Sequence, residues 1–317
     1  MASNITVSPV AGRIGALIEG ADISQPLSDP DIAAIQQALD DWGVVFFRGQ
    51  HLDHATQIAF GRRFGELTYA HPYDDAPPES YPEIYTVDTR LFAKRFGIDL
   101  EQRKLLKSSY INGWHCDVTP AINPPAGSIL RADIVPAYGG DTSFTNLVAA
   151  YKGLSEPFKR FIDTLRAEHR FDANWSGLPR PGSERLQRNS LVAHHPVVRV
   201  HPRTGEKALY VNPVFTDHIL DVSPLESRLI LGHLFQEMAR PEYQVRFRWE
   251  PGSVAFWDNR ATAHLAPQDL DDQEVERVLH RVTVIGEVPV GPDGLESDLI
   301  EGIRFVAAPV FAANSER

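Results

Sequence analysis

Beyond residue 110 the chain breaks into short apolar or β-branched runs with Gly, Pro and Asp between them: AGSILRADIVP, GDTSFTNL, HPVVRVHP, KALYVNP, SVAFWDN and ERVLHRVTVIGEV. Runs of that length suit strands rather than helices. Many short strands joined by turn residues bury their apolar faces by closing into a sandwich or barrel of the jelly-roll type. The chain has 317 residues and 43% hydrophobic content, enough for one large core. No stretch has the composition of a linker between independent domains. The expectation is a mixed α+β fold in which residues 1–317 form a single domain.

Helical spacing interrupts the strands at four places. SDPDIAAIQQALDDWG has Ser28 or Asp29 to cap it, Pro30 in its first turn and an Ile32, Ile35, Leu39 stripe. VVFFRG (44–49) follows as a strand, and HATQIAFGRRFGEL (54–67) reads as helix again. Further helices are expected over 151–167 and 224–239. Residues 89–110 and 172–192 are polar, and long polar insertions in a compact domain are candidates for lids over a site.

The net charge of −11 and a pI near 5.5 leave no basic stripe for nucleic acid or an anionic membrane surface. With 1 cysteine the chain forms no internal disulfide. MASNITVSPVAGRIG has neither a basic nor an apolar leader segment. No apolar run approaches the roughly 20 residues of a membrane helix. A cytoplasmic protein is expected.

WHCDVT (114–119) holds that cysteine between a histidine and an aspartate. On a strand, residues two apart share a face, so His115 and Asp117 can grip one ion while Cys116 points away into the core. The spacing alone is weak, because His51-Leu52-Asp53 has it too. There Asp53 opens a helix and reads as its N-cap. The later pair gains meaning from FWDNRATAHLAPQDLDDQEVERVLHRVTVIG (256–286), which adds His264, Arg277 and Arg281. Two histidines and one carboxylate, with other positions open, form the ligand pattern of non-heme Fe(II) oxygenases. If ERVLHRVTVIG is a strand, positions 277, 279, 281 and 283 share a face, and both arginines point inward. Two buried guanidinium groups each need an anion. Alternatively, His264 is a hydrogen-bonded core residue and the arginines pair with Asp258 or Asp269.

At this point the sequence resembles the taurine dioxygenase family, the Fe(II)- and 2-oxoglutarate-dependent enzymes that include alkylsulfatases and phenoxyalkanoate dioxygenases. Ordered matches run over nearly the whole chain: ALIEGADIS, VVFFRGQ, WHCDVT, GGDTSFTN, AAY, HPVVRVHPRTGEKALYVNPVFT, WDNRATAH and HRVTVIGEVP. The resemblance implies a double-stranded β-helix (jelly-roll) core with flanking helices and lid loops over the active site. It implies His115, Asp117 and His264 as iron ligands, Thr142 and Arg277 as the 2-oxoglutarate contacts, and Arg281 as the holder of the substrate's anionic group. His71 and Val118 resemble substrate-pocket residues, and Phe215 a further pocket wall. The implied activity is hydroxylation of a C–H bond in a small sulfonate, alkyl sulfate or aryloxyalkanoate, using O2 and giving succinate and CO2. The product fragments where the hydroxylated carbon bears a leaving group. Relatives of this kind are commonly dimers or tetramers, so a homo-oligomer is expected. Taurine-oxidising members carry asparagine four residues before the first iron histidine, where this chain has Ile111. That departure favours a larger or more apolar substrate. The alternatives are the same chemistry on a carboxylate or amino-acid-derived natural-product intermediate, or a non-catalytic jelly-roll binding protein.

Overall fold

The computed structural model describes residues 3–70, 80–88, 111, 113–175, 190–267, 269–270 and 275–308. In chain order the first part supplies β1 (Thr6–Pro9), β2 (Ala16–Glu19), α1 (Asp29–Trp42), β3 (Val44–Phe47), α2 (His54–Arg62) and β4 (Tyr85–Asp88). The middle supplies β5 (Gly127–Ile134), β6 (Thr142–Asn146), α3 (Leu147–Gly153), α4 (Glu156–Ile162), β7 (Arg166–Arg170), β8 (Val192–Pro196), β9 (Val198–Val200), β10 (Lys207–Leu209) and β11 (Thr216–Ile219). The last part is α5 (Pro224–Met238), β12 (Gln244–Phe247), β13 (Val254–Asp258), β14 (Thr262–Leu265), β15 (Val278–Val284) and β16 (Asp298–Glu301).

Helix α1 starts where Ser28 Oγ accepts the amide of Asp31, and it stops at left-handed Gly43. The Asp53 carboxylate caps α2 in a reciprocal pair with Thr56, so the His51-x-Asp53 motif serves a helix end. Helix α2 ends at Arg62, earlier than its periodicity suggested, and Leu67 instead bridges to Val284. The helix expected over 151–167 is two helices followed by a strand. Pro157 has no amide hydrogen and is tolerated only in a first turn, so a new helix must begin at Glu156.

Seven strands form the main sheet in the order β1-β2-β3-β13-β5-β15-β4, and β12-β6-β14 form a second sheet. Alternation within the main sheet explains why VVFF is apolar throughout. Val44 and Phe46 join Leu130, Ala255, Trp257 and Leu279 against Phe144, Val245 and Phe247 of the second sheet. Val45 and Phe47 face the other way, with Val254, Phe256 and Val282, onto Ile35 and Leu39 of α1 and Ile58 and Phe60 of α2. Phe46 and Phe247 stack across the sandwich with ring centroids 4.1 Å apart. Each such fully buried aromatic contributes about 1.5–3 kcal/mol. The result is the jelly-roll core with helices on the outer face of the larger sheet. A third core, which includes Trp114 and Cys116, lies beneath α3 and α5. Among the described residues no helix is long and apolar enough to cross a membrane.

Candidate active site

The site lies where the two sheets meet. His264 is on β14, next to β6, and its backbone forms a two-way bridge with His115 (N–O distances 3.0 and 2.8 Å). That isolated bridge is all the strand there is at 115–117. The chain turns at once, and Val118 adopts φ 48°, the left-handed region that a β-branched residue rarely enters. His115 and Asp117 thus stand at the junction of an isolated bridge and a turn, not on a regular strand. Cys116 is 1% exposed and packs in the core with Trp114. Burial pushes its thiol well above the usual range, which removes the thiolate needed for reactivity.

Ligand atoms of His115, Asp117 and His264 all lie within 4.8 Å of one another, and Asp117 Oδ1 is 4.0 Å from His264 Nε2. His115 Nδ1 sits 2.9 Å from the Gly113 carbonyl, so it carries the proton there and leaves Nε2 as a free electron pair. Burial depresses both histidines, His264 to about 3, so both imidazoles are neutral at neutral pH. Burial alone would raise the pKa of Asp117. The charge of Arg281, helped by the Ser128 hydroxyl, outweighs it, and the carboxyl is held well below the usual range. Two neutral imidazoles and one carboxylate, buried and preformed, fit a divalent iron. Glu168, Asp217 and His218 make a second such grouping among the described residues. Its Glu168 already pairs with Arg170, and its Asp217 accepts the amide of Asn174.

Thr142 opens β6, and its Oγ1 accepts Trp249 Nε1 at 2.9 Å, which leaves its own hydrogen to donate. Arg277 precedes β15, and its Nε donates to the Gly140 carbonyl at 3.0 Å. Gly140 has φ 68°, and a Cβ there would come within 3.0 Å of Arg277 Nε, so the GGDT turn requires glycine at this position. Neither acid weighed as a partner takes the arginines. Asp258 binds Arg260 and His201, and Asp269 binds Arg246 and the Gly140 amide. Burial lowers Arg277 to about 10, partly offset by Asp269 and Asp141, so it stays charged. Among the described residues no carboxylate forms an ion pair with it.

Arg281, four residues on, lies at 9% exposure with its Cζ 5.1 Å from the Tyr85 ring centroid. Its Nη1 donates to Asp117 Oδ1, while its buried Nε has no hydrogen-bond partner among the described residues. Next to Asp117 in the chain, Val118 belongs to an apolar cluster. Val118 packs with Ala121 and Leu191 against Phe171 and Phe305. The Phe215 ring is 6.0 Å from that of His115 and 5.4 Å from that of Phe171. His71 and all of 89–110, with most of 172–192, lie outside the described residues. Sequence reasoning overlooked Ser128, Trp249 and Tyr85, because single residues far apart in the chain carry no spacing signal.

The fold and this cluster define an Fe(II)- and 2-oxoglutarate-dependent oxygenase, and the comparisons with known proteins agree. Residues 6–283 match the family described as "Taurine catabolism dioxygenase TauD, TfdA family", and the chain belongs to it. It is 40% identical to an alpha-ketoglutarate-dependent sulfate ester dioxygenase of Pseudomonas putida, over 92% of this chain and 93% of that protein. It is 36% identical to an alkylsulfatase of Acinetobacter baylyi, over 90% of this chain and 87% of that protein. A crystal structure of a taurine dioxygenase from Burkholderia xenovorans superposes with a TM-score of 0.82 at 44% identity, covering 95% of this chain and 96% of that one. The enzyme is thus a dioxygenase that works with Fe(II), 2-oxoglutarate and O2.

Proposed function

We propose that this chain, as one catalytic domain over 1–317, hydroxylates the carbon bonded to the ester oxygen of an alkyl sulfate, to the sulfur of a related small sulfonate or to the ether oxygen of an aryloxyalkanoate. The observation that carries the substrate class is Arg281. Among the described residues its buried Nε has no hydrogen-bond partner, its Nη1 reaches Asp117, and Val118, next to Asp117 in the chain, belongs to an apolar cluster with Phe171, whose ring meets that of Phe215. A guanidinium donor in a site that also holds apolar side chains suits an anionic head on a hydrocarbon tail better than a zwitterion with charges at both ends. The sulfate ester dioxygenase and alkylsulfatase relatives support the same class.

In this reading His115, Asp117 and His264 would hold the iron, at which O2 is the oxidant and 2-oxoglutarate and the substrate C–H bond each give up two electrons. Arg277 and the Thr142 hydroxyl hold the far carboxylate of 2-oxoglutarate, and each charged hydrogen bond contributes about 1.5–3 kcal/mol. Arg281 takes the sulfate and sets which carbon faces the metal. Val118, Phe215 and, from its sequence position, His71 line the substrate pocket. The apolar wall excludes water and limits unproductive turnover. One O2, one 2-oxoglutarate and one alkyl sulfate give succinate, CO2 and a hydroxylated ester. The ester then loses sulfate and a proton to leave an aldehyde.

Self-association as a dimer or tetramer belongs to the same reading. It is supported by the exposed Leu295, Leu299, Ile300 and Ile303 along the C-terminal edge. So does a cytoplasmic location, consistent with the buried, unpaired Cys116. The test is mass-spectrometric detection of succinate over a panel of alkyl sulfates, sulfonates and aryloxyacids, with sulfate release measured in parallel. Alkyl sulfates should turn over with higher kcat/KM than taurine, and His115→Ala should abolish turnover. Equal use of taurine, or no succinate with any member of the panel, would reject the substrate assignment.

A further inference from the structure

Asp117 presents two carboxylate oxygens, and its surroundings treat them differently. Oδ1 faces His264 Nε2 and receives Arg281. Oδ2 accepts the Ser128 hydroxyl at 2.6 Å. What lies behind Ser128 fixes the direction of that bond. Asn259 Oδ1 accepts two N–H groups, the Asp117 amide at 3.1 Å and Trp257 Nε1 at 3.0 Å. Neither donor can reverse its role, so the amide group of Asn259 has one allowed orientation. Its Nδ2 then donates to Ser128 Oγ at 2.9 Å. A serine oxygen that accepts there turns its single hydrogen toward Asp117 Oδ2. The ring closes on itself, running from the Asp117 amide through Asn259 and Ser128 to the Asp117 carboxylate.

Main-chain pairing holds the ring rigid. Ser128 lies on β5 between Trp257 of β13 and Thr283 of β15, and Asn259 follows β13 directly. Exposures of 0% for Ser128, 2% for Asn259 and 3% for Asp117 mean that no solvent water can replace a missing member.

We infer that Ser128 and Asn259 are positioning residues whose ring occupies Oδ2 of Asp117 and presents Oδ1 alone to the metal. This rests on the reading of Asp117 as an iron ligand. A carboxylate free to chelate through both oxygens would take up a position that the co-substrates need, and a carboxylate free to rotate would bind metal less tightly. The ring prevents both.

The experiment measures Mn(II) affinity of the metal-free protein by electron paramagnetic resonance. It also records the absorption spectrum of the anaerobic Fe(II)–2-oxoglutarate complex and the ratio of succinate to oxidised substrate. Ser128→Ala should weaken Mn(II) binding about 10- to 100-fold, the usual effect of losing a ligand's hydrogen-bond partner. It should also alter the Fe(II) spectrum and raise succinate per product. Asn259→Ala should do the same, and the double variant should be no worse than the weaker single one. Ser128→Cys keeps a weak donor at nearly the same volume, so it should fall between wild type and Ser128→Ala; it also serves if alanine impairs folding. Wild-type Mn(II) affinity, spectrum and coupling in folded Ser128→Cys and Ser128→Ala would overturn the inference. Asp117→Ala separates the two levels of the argument. If that variant binds Mn(II) like wild type, the ligand reading itself fails. If it loses Mn(II) while the serine variants do not, only the ring fails.

Discussion

Replacing Gly140 by alanine should weaken 2-oxoglutarate binding without touching any atom that contacts it. Gly140 has φ 68°, and a left-handed L-residue costs about 1–2 kcal/mol. The added methyl would stand 2.8 Å from Leu270 Cδ1 and 3.0 Å from both Cδ and Nε of Arg277. Leu270 can swing its terminal methyl aside. Arg277 cannot yield at Nε without lengthening its 3.0 Å bond to the Gly140 carbonyl, which aims the guanidinium. Loss of one charged hydrogen bond to the co-substrate carboxylate costs about 1.5–3 kcal/mol, or about a ten- to hundredfold rise in Kd. Initial rates against 2-oxoglutarate at saturating substrate measure the rise, and thermal melting of the same protein measures the backbone strain. Arg277→Met should raise the 2-oxoglutarate KM at least as much. A Gly140→Ala protein that melts lower but keeps its 2-oxoglutarate KM within about twofold would show that Gly140 does not aim Arg277.

Arg281→Ala should raise the KM for alkyl sulfates about tenfold or more through the lost charged contact, while the KM for 2-oxoglutarate moves little; the opposite split would exchange the roles of the two arginines. His195, fully enclosed between Ser297 and the Thr119 carbonyl, is pushed by burial from 6.5 down to about 3. Below pH 6.5 the unfolded chain binds a proton that the native one refuses, so stability present above 6.5 is lost progressively as pH falls toward 3. The limit is about 1.4 kcal/mol per pH unit, or about 2 kcal/mol at pH 5. Urea unfolding at pH 7 and 5 should show a smaller loss for His195→Gln than for wild type, and equal losses would refute the assignment. Native Cys116 should resist thiol reagents until the protein unfolds, and Cys116→Ser should keep iron-dependent turnover; rapid labelling of folded enzyme would contradict its place in the core.

Much of the architecture follows from local pattern alone. The unbroken apolarity of VAFW and VVFF reflects strands buried on both faces, and that depends on residue order rather than on partners. The caps at Ser28 and Asp53 are equally local, because a helix end draws its hydrogen bonds from residues within one turn. The chemical identity of the site was also legible: neutral imidazoles, one carboxylate and two arginines in order along the chain define a donor set before any geometry is known. What the tertiary structure alone decided is convergence and direction. His115 and Asp117 stand where an isolated bridge to His264 gives way to a turn, which the HxD spacing does not reveal. Arg281 pairs with Asp117 across 164 residues, and Asn259 orients Ser128 across 131. A hydrogen bond's donor and acceptor are set by every neighbour at once. Such closed rings exist only when distant strands have been brought into register, and no stretch of sequence carries that information by itself.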